Sequence, residues 1–178
     1  MSLLRRLASE TLAGHELPSL GDAPELLAIQ PWFNTPDGRP LTLAQLSGRI
    51  VLIEFWTFAC PNCVRTLPFL KRMYSRYRGD LTVIGIHTPE LPFERSPRNV
   101  ARAVRERALS FPVGLDNDYA TWDVYGNQYW PSLYLIDGAG RIRYVHVGEG
   151  RYSTTEKAIR ALIDESPRAD SVETFPRR

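Results

Sequence analysis

At 178 residues, 43% hydrophobic and 24% charged, the chain is one globular domain's worth of ordinary composition, long enough to bury roughly 70% of its unfolded surface. A net charge of +2, with no Lys/Arg cluster interleaved with aromatics, excludes a basic nucleic-acid stripe. Two cysteines exclude a small disulfide-stapled scaffold.

The N-terminal stretch carries Arg5 and Arg6, and Glu10, His15 and Glu16 interrupt any signal-like apolar core. No run reaches the ~18 apolar residues of a membrane span. No direct membrane insertion is therefore expected, and the chain reads as cytoplasmic or as a soluble piece freed from a signal or anchor. Residues 1–23 are expected to form a partly loose extension. PELLAIQPWF (24–33) is an apolar lead-in to the turn residues NTPDGRP (34–40). Residues 41–46 fit a short helical turn closed by Gly48.

RIVLIEFW (49–56) is β-branched-rich and lacks alternation, the pattern of a strand buried on both faces. Val64, Leu67, Leu70, Met73, Tyr74 and Tyr77 then recur at spacings of three and four, predicting an amphipathic helix ended by Gly79. LTVIGIH (81–87) reads as a second buried strand, TPELPFERSP (88–97) as a loop and NVARAVRERAL (99–109) as a helix. FPVGL (111–115) is a short strand, and a helical stretch follows over 118–125. SLYLID (132–137), the turn Gly138-Ala139-Gly140 and RIRYVHV (141–147) predict a β-hairpin. A last helix is expected over 154–163, and 166–178 read as a loose tail. This order predicts an α/β fold with helices on both faces of a central mixed sheet, the hairpin supplying an antiparallel edge.

Both cysteines lie in WTFACPNCVRTLP (56–68). Zinc takes four ligands, and no second CxxC or nearby His pair completes a set, since His87 and His146 fall at distant strand ends. A structural disulfide closing so short a loop constrains little chain entropy. A redox-active dithiol suits the strand-to-helix context. Cys60 falls at the helix start, where unpaired N–H groups and the macrodipole favour a thiolate. Pro61 takes the first-turn position where a missing N–H costs nothing. Cys63, one turn inward, is expected to be buried.

The stretch F-W-x(3)-C-x-x-C, with a proline five residues after the second cysteine, resembles the thioredoxin signature at Trp56, Cys60, Cys63 and Pro68. Glu54 stands where that family has an acidic residue, and Pro131 in YWPSLYLIDGAG matches its cis-proline. PDGRPLTLAQLSGRIVLIEFW resembles the N-terminal extension of TlpA/ResA-like thiol-disulfide oxidoreductases. HTPE, DNDYATWDVYGNQYWP and GEGRY look like the thioredoxin-like domain of DipZ-type proteins. The resemblance covers about residues 24–165. It implies a thioredoxin-like fold with an N-terminal extension and an insertion after the second buried strand. Ala59 departs from the usual aromatic before the first cysteine, and Pro61-Asn62 from the usual Gly-Pro.

Such a protein exchanges disulfides with protein substrates, Cys60 attacking and Cys63 resolving. Glu54 is then the acceptor for the Cys63 proton, its carboxyl raised by desolvation; otherwise it is a strand-end glutamate reaching solvent or pairing with Arg49. Trp56 is expected to pack under the dithiol, and Trp130 and Pro131 to form one wall of a substrate groove. Pro68 is expected to kink its helix, and His87 reads as an ordinary loop histidine. No nucleotide or flavin fingerprint is present, so the expected cofactor is none beyond the Cys60–Cys63 disulfide, and electrons come from another protein's thiols. The resemblance implies an extracytoplasmic site and a membrane-bound redox partner. The absence of a histidine between the cysteines favours a reducing or reshuffling role. The rival reading is a peroxiredoxin-like thiol peroxidase, with Thr57 three residues before Cys60 but Ile53 in the place of the motif's proline. A non-catalytic thioredoxin-fold interaction module is the third.

Overall fold

Six strands and four helices make up the computed structural model, which describes residues 16–166. The expected looseness of residues 1–15 and 167–178 concerns segments outside the described residues. The strands are β1 (Trp32–Phe33), β2 (Ile50–Trp56), β3 (Leu81–His87), β4 (Val113–Leu115), β5 (Ser132–Ile136) and β6 (Ile142–Val147). The helices are α1 (Pro61–Arg76), α2 (Pro97–Glu106), α3 (Ala120–Val124) and α4 (Tyr152–Glu165).

All seven residues of β2 are buried, as its unbroken apolar run requires of a central strand. The sheet order is β1-β4-β3-β2-β5-β6. β2, β3 and β4 run parallel, while β1, β5 and β6 pair antiparallel to their neighbours. Steps from β2 to β3 and from β3 to β4 move the same way across the sheet, so right-handed crossovers put α1 and α2 on one face. There they share a core with α4, through Leu70, Val104 and Ile159 over Leu52, Val83 and Leu135. The chain returns from β4 to β5 over the other face, where Trp122 of α3 packs with Leu26, Ile29 and Trp32 over Ile53, Phe55 and Ile84.

The lead-in at 24–33 contains a strand that its pattern does not announce. Trp32 and Phe33 pair with Gly114 and Val113, and two residues are too few to carry an alternation. Gly114 leaves the space that Ile29 and the Trp32 ring occupy. The helix expected over 99–109 starts earlier, at Pro97 behind the N-cap Ser96, and ends at Glu106 ahead of Ala108 at φ 49°.

Residues 16–23 are held against the sheet edge. Leu17 is buried, the Leu20 N–H donates to the Ile142 carbonyl at 2.8 Å, and Asp22 bridges to Arg141. At its centre lies Arg143, 5% exposed. Its guanidinium pairs with Asp137 at 3.0 Å and Glu165 at 3.0 Å, and donates to the Leu17 carbonyl. Burial alone would raise the Asp137 carboxyl, but hydrogen bonds from the Arg141 backbone and from the Arg143 and Arg141 side chains hold it below its ordinary range.

Candidate active site

β2 delivers the chain to the site. After Trp56 the loop Thr57–Ala59 turns into α1, and Cys60 is the N-cap, with extended backbone (φ −75°, ψ 116°). Pro61 follows at the first helical position. Cys60 is half-buried and Cys63, one turn on, fully buried; both are free thiols. Pro61 and Asn62 between them are exposed, and the Asn62 side chain accepts from Arg65, whose Nε is in turn 2.9 Å from both Glu149 oxygens. Pro68 is tolerated within α1 on its exposed side.

Glu54 is buried, and neither of its oxygens has a hydrogen-bond partner. The register explains this. Side chains two apart on a strand share a face, so Glu54 lies on the α1 face with Leu52 and Trp56, and the residues paired to it across the sheet are Gly85 and Leu133. Leu52, Gly85 and Leu133 have no side-chain donor, and the Trp56 indole N–H, itself without a partner, does not bond to Glu54. Arg49, the alternative ion-pair partner, bonds to Thr82 at 3.1 Å. Burial raises the Glu54 carboxyl well above its ordinary value, and the neighbouring charge of Cys60 raises it further. Cys63 is also pushed up, first by burial and then by the charge of Glu54, against a hydrogen bond from the Thr57 backbone. The charge of Glu54 thus reaches Cys63, and that of Cys60 reaches Glu54.

Trp56 is fully buried in the cluster that includes Cys63 and packs edge-on against His87, ring centroids 5.2 Å apart. The Trp130–Pro131 bond is cis, and so is Gln30–Pro31. Ser132 opposite Phe55 brings Pro131 to the sheet end that carries the dithiol. Trp130 is half-buried: its Nε1 donates to the Thr88 carbonyl at 3.0 Å, and its ring lies 4.3 Å from that of Trp122.

His87 departs from its reading as a loop histidine. It is the last residue of β3, opposite Trp56, and fully buried. Its Nε2 accepts from the Phe58 N–H at 3.3 Å, and burial lowers its pKa to about 3, so it is neutral. The signal was ambiguous, because a His-Thr-Pro sequence ends a strand and opens a loop alike. Glu94, missed altogether, is buried beneath the same loop, taking the Thr57 hydroxyl and the Ala59 N–H at 3.0 Å. Only Pro92 at the first helical position with a glutamate two residues on, a partial capping signature, could have pointed to it. Among the described residues, no group of three or more His, Cys, Asp or Glu is placed to hold a metal ion, and no helix is long and apolar enough to cross a membrane.

A cysteine pair spaced CxxC at the start of the helix after a central parallel strand defines the thioredoxin class. The chain matches the Redoxin family over residues 13–163. It is 45% identical over 152 residues to the protein DipZ of Mycobacterium tuberculosis, covering 85% of this chain and 22% of that protein. The chain thus spans about a fifth of the length of that relative. It is 31% identical over 131 residues to the thiol-disulfide oxidoreductase ResA of Halalkalibacterium halodurans, covering 72% of this chain and 68% of ResA. The crystal structure of a thioredoxin-like superfamily protein superimposes with a TM-score of 0.76 at 32% identity, covering 83% of this chain and 99% of that one. The chain belongs to the redoxin family and has the thioredoxin-like fold.

Proposed function

We propose that this domain exchanges disulfides with protein substrates through the Cys60-Pro-Asn-Cys63 dithiol, in the reducing or reshuffling direction. The observation that carries the reading is the asymmetry of the pair: Cys60 half-exposed at a helix N-cap, Cys63 buried and within the field of Glu54, a buried carboxyl whose oxygens have no hydrogen-bond partner. The Cys60 thiolate attacks one sulfur of a substrate disulfide and displaces the other as a thiolate, giving a mixed disulfide. Glu54 takes the proton of Cys63, whose thiolate attacks the Cys60 sulfur and releases the second substrate thiol. Two electrons pass to the substrate, and the domain is left as the Cys60–Cys63 disulfide. A carboxylate raised by burial is a stronger base than a solvated one, and a buried thiol needs such a base.

The dithiol is its own electron carrier in this scheme, with no dissociable cofactor. Regeneration requires a second dithiol, supplied by a redox partner protein that we place in the membrane on the resemblance to DipZ-type proteins. The substrate meets a surface flanked by Trp130 and Pro131, with Tyr129 (59% exposed) and Phe93 (51% exposed) available to apolar side chains beside its cysteine. A peroxidase would need the Thr57 hydroxyl at the reacting sulfur, whereas here it is buried on Glu94. The test is reduction of insulin disulfides with dithiothreitol as electron source. Turnover that disappears in Cys60→Ser is expected, with no consumption of hydrogen peroxide. Absent turnover by the intact domain would leave a non-catalytic interaction module.

A further inference from the structure

The single turn Pro92–Arg95 lies in the connection between β3 and α2, yet the Glu94 side chain on it is fully buried. One oxygen accepts from the Thr57 hydroxyl and from the Ala59 N–H at 3.0 Å. The other accepts from the Glu90 N–H at 2.9 Å and the Leu91 N–H at 2.8 Å. A buried carboxylate is tolerable only where donors meet its charge, so two separate segments close around this one. The same stretch grips the loop between these bonds: His87 Nε2 takes the Phe58 N–H, and Arg107 Nη2 donates to the Phe58 carbonyl at 2.9 Å. Each of the three residues before Cys60 is thus bonded to side chains of the 87–107 segment. The Thr57 backbone is also what lowers the Cys63 thiol against its burial.

We propose that Glu94 is a positioning residue of the dithiol: by tying Thr57 and Ala59 to the β3–α2 connection, it fixes the approach of Cys60 to Cys63 and raises the effective concentration of one thiol at the other. The inference rests on the exchange reading above. Holding two groups at reacting distance favours the intramolecular bond over its intermolecular competitors. Loosening the loop therefore lowers the equilibrium constant for closing the Cys60–Cys63 disulfide against oxidised glutathione. In that reaction, two thiols of the domain lose two electrons and two protons, and one glutathione disulfide becomes two glutathione thiols.

The experiment measures this constant in glutathione buffers for the folded domain. Glu94→Gln, which cannot accept from all four donors, is expected to lower it by about tenfold, ~30 mV for a two-electron couple. Thr57→Val, which removes one donor and keeps the shape, should move it the same way by a smaller factor. Asp137→Asn breaks a buried, hydrogen-bonded carboxylate at the β5–β6 turn and should leave the constant unchanged whatever it does to Tm. Wild-type constants in both loop variants would overturn the role of Glu94, as would an equal shift in Asp137→Asn. If Glu94→Gln fails to fold, Thr57→Val decides alone. A wild-type domain that never equilibrates with glutathione would instead refute the exchange reading, and the inference with it.

Discussion

Glu54 and Cys63 are two fully buried groups that prefer to be neutral. Each is raised mainly by burial, and the charge of Glu54 further opposes the ionisation of Cys63. A raised carboxyl stabilises the fold below its ordinary value of 4.5, and that stability is lost as pH climbs through the raised folded value. Glu54→Gln removes the ionisation, so its stability relative to wild type should rise as pH increases above 4.5, read from urea unfolding at several pH values. The same variant should slow disulfide exchange by at least about tenfold, since a positioned base ordinarily contributes more than that. An unchanged exchange rate between about pH 6 and 8 would remove Glu54 from the proton path. The cysteines should also separate chemically: in the reduced protein, iodoacetamide near neutral pH should label Cys60 well before Cys63, which is buried. Peptide mapping that finds equal labelling would reverse the assignment of attacking and resolving thiols.

Between β2 and β3, one small residue makes the room the site needs. Gly85 stands opposite Glu54, and a Cβ there would come within 3.0 Å of Trp56 Nε1 and 3.2 Å of the Phe111 ring. Both neighbours are fully buried. Gly85→Ala should therefore cost about 1–3 kcal/mol by overpacking, seen as a lower urea midpoint at unchanged slope. The elements that sequence alone made legible were those with long signals. β2 and β3 are unbroken apolar runs, α1 has a regular stripe, and the hairpin has a glycine turn between two apolar segments. The dithiol was legible for the same reason, because spacing and context both spoke for it. What stayed hidden depends on tertiary contact. β1 is two residues long and takes its meaning from β4, and Glu94 is a loop glutamate until its neighbours in space are known. His87 was placed in the right stretch of chain, but its burial follows from facing Trp56 across a strand pair, which no local pattern encodes.

Across the whole molecule, Arg143 joins parts that are far apart in sequence: the segment at Glu16 to Pro18, the β5–β6 turn through Asp137 and the last helix through Glu165. Removing one partner of a buried ion pair leaves the others uncompensated, at a typical cost of about 3–5 kcal/mol. Arg143→Ala should therefore lower Tm strongly. It should also raise the Asp137 carboxyl, so that acid unfolding begins at higher pH, measured by circular dichroism. Wild-type acid stability in that variant would show that Asp137 is held by its Arg141 contacts alone.

The position of that arginine also fixes where Glu16 and Glu165 lie relative to the dithiol. β2 runs toward the dithiol, so its Trp56 end is the working end, while Val51 pairs with Ile136 and Ile136 with Ile142 at the opposite pole. Glu16 and Glu165, at the two ends of the described chain, both meet Arg143 at that far pole. Glu16 and Glu165 thus sit behind the sheet, and the face around Cys60 points away from both, like the head of a tool from its handle.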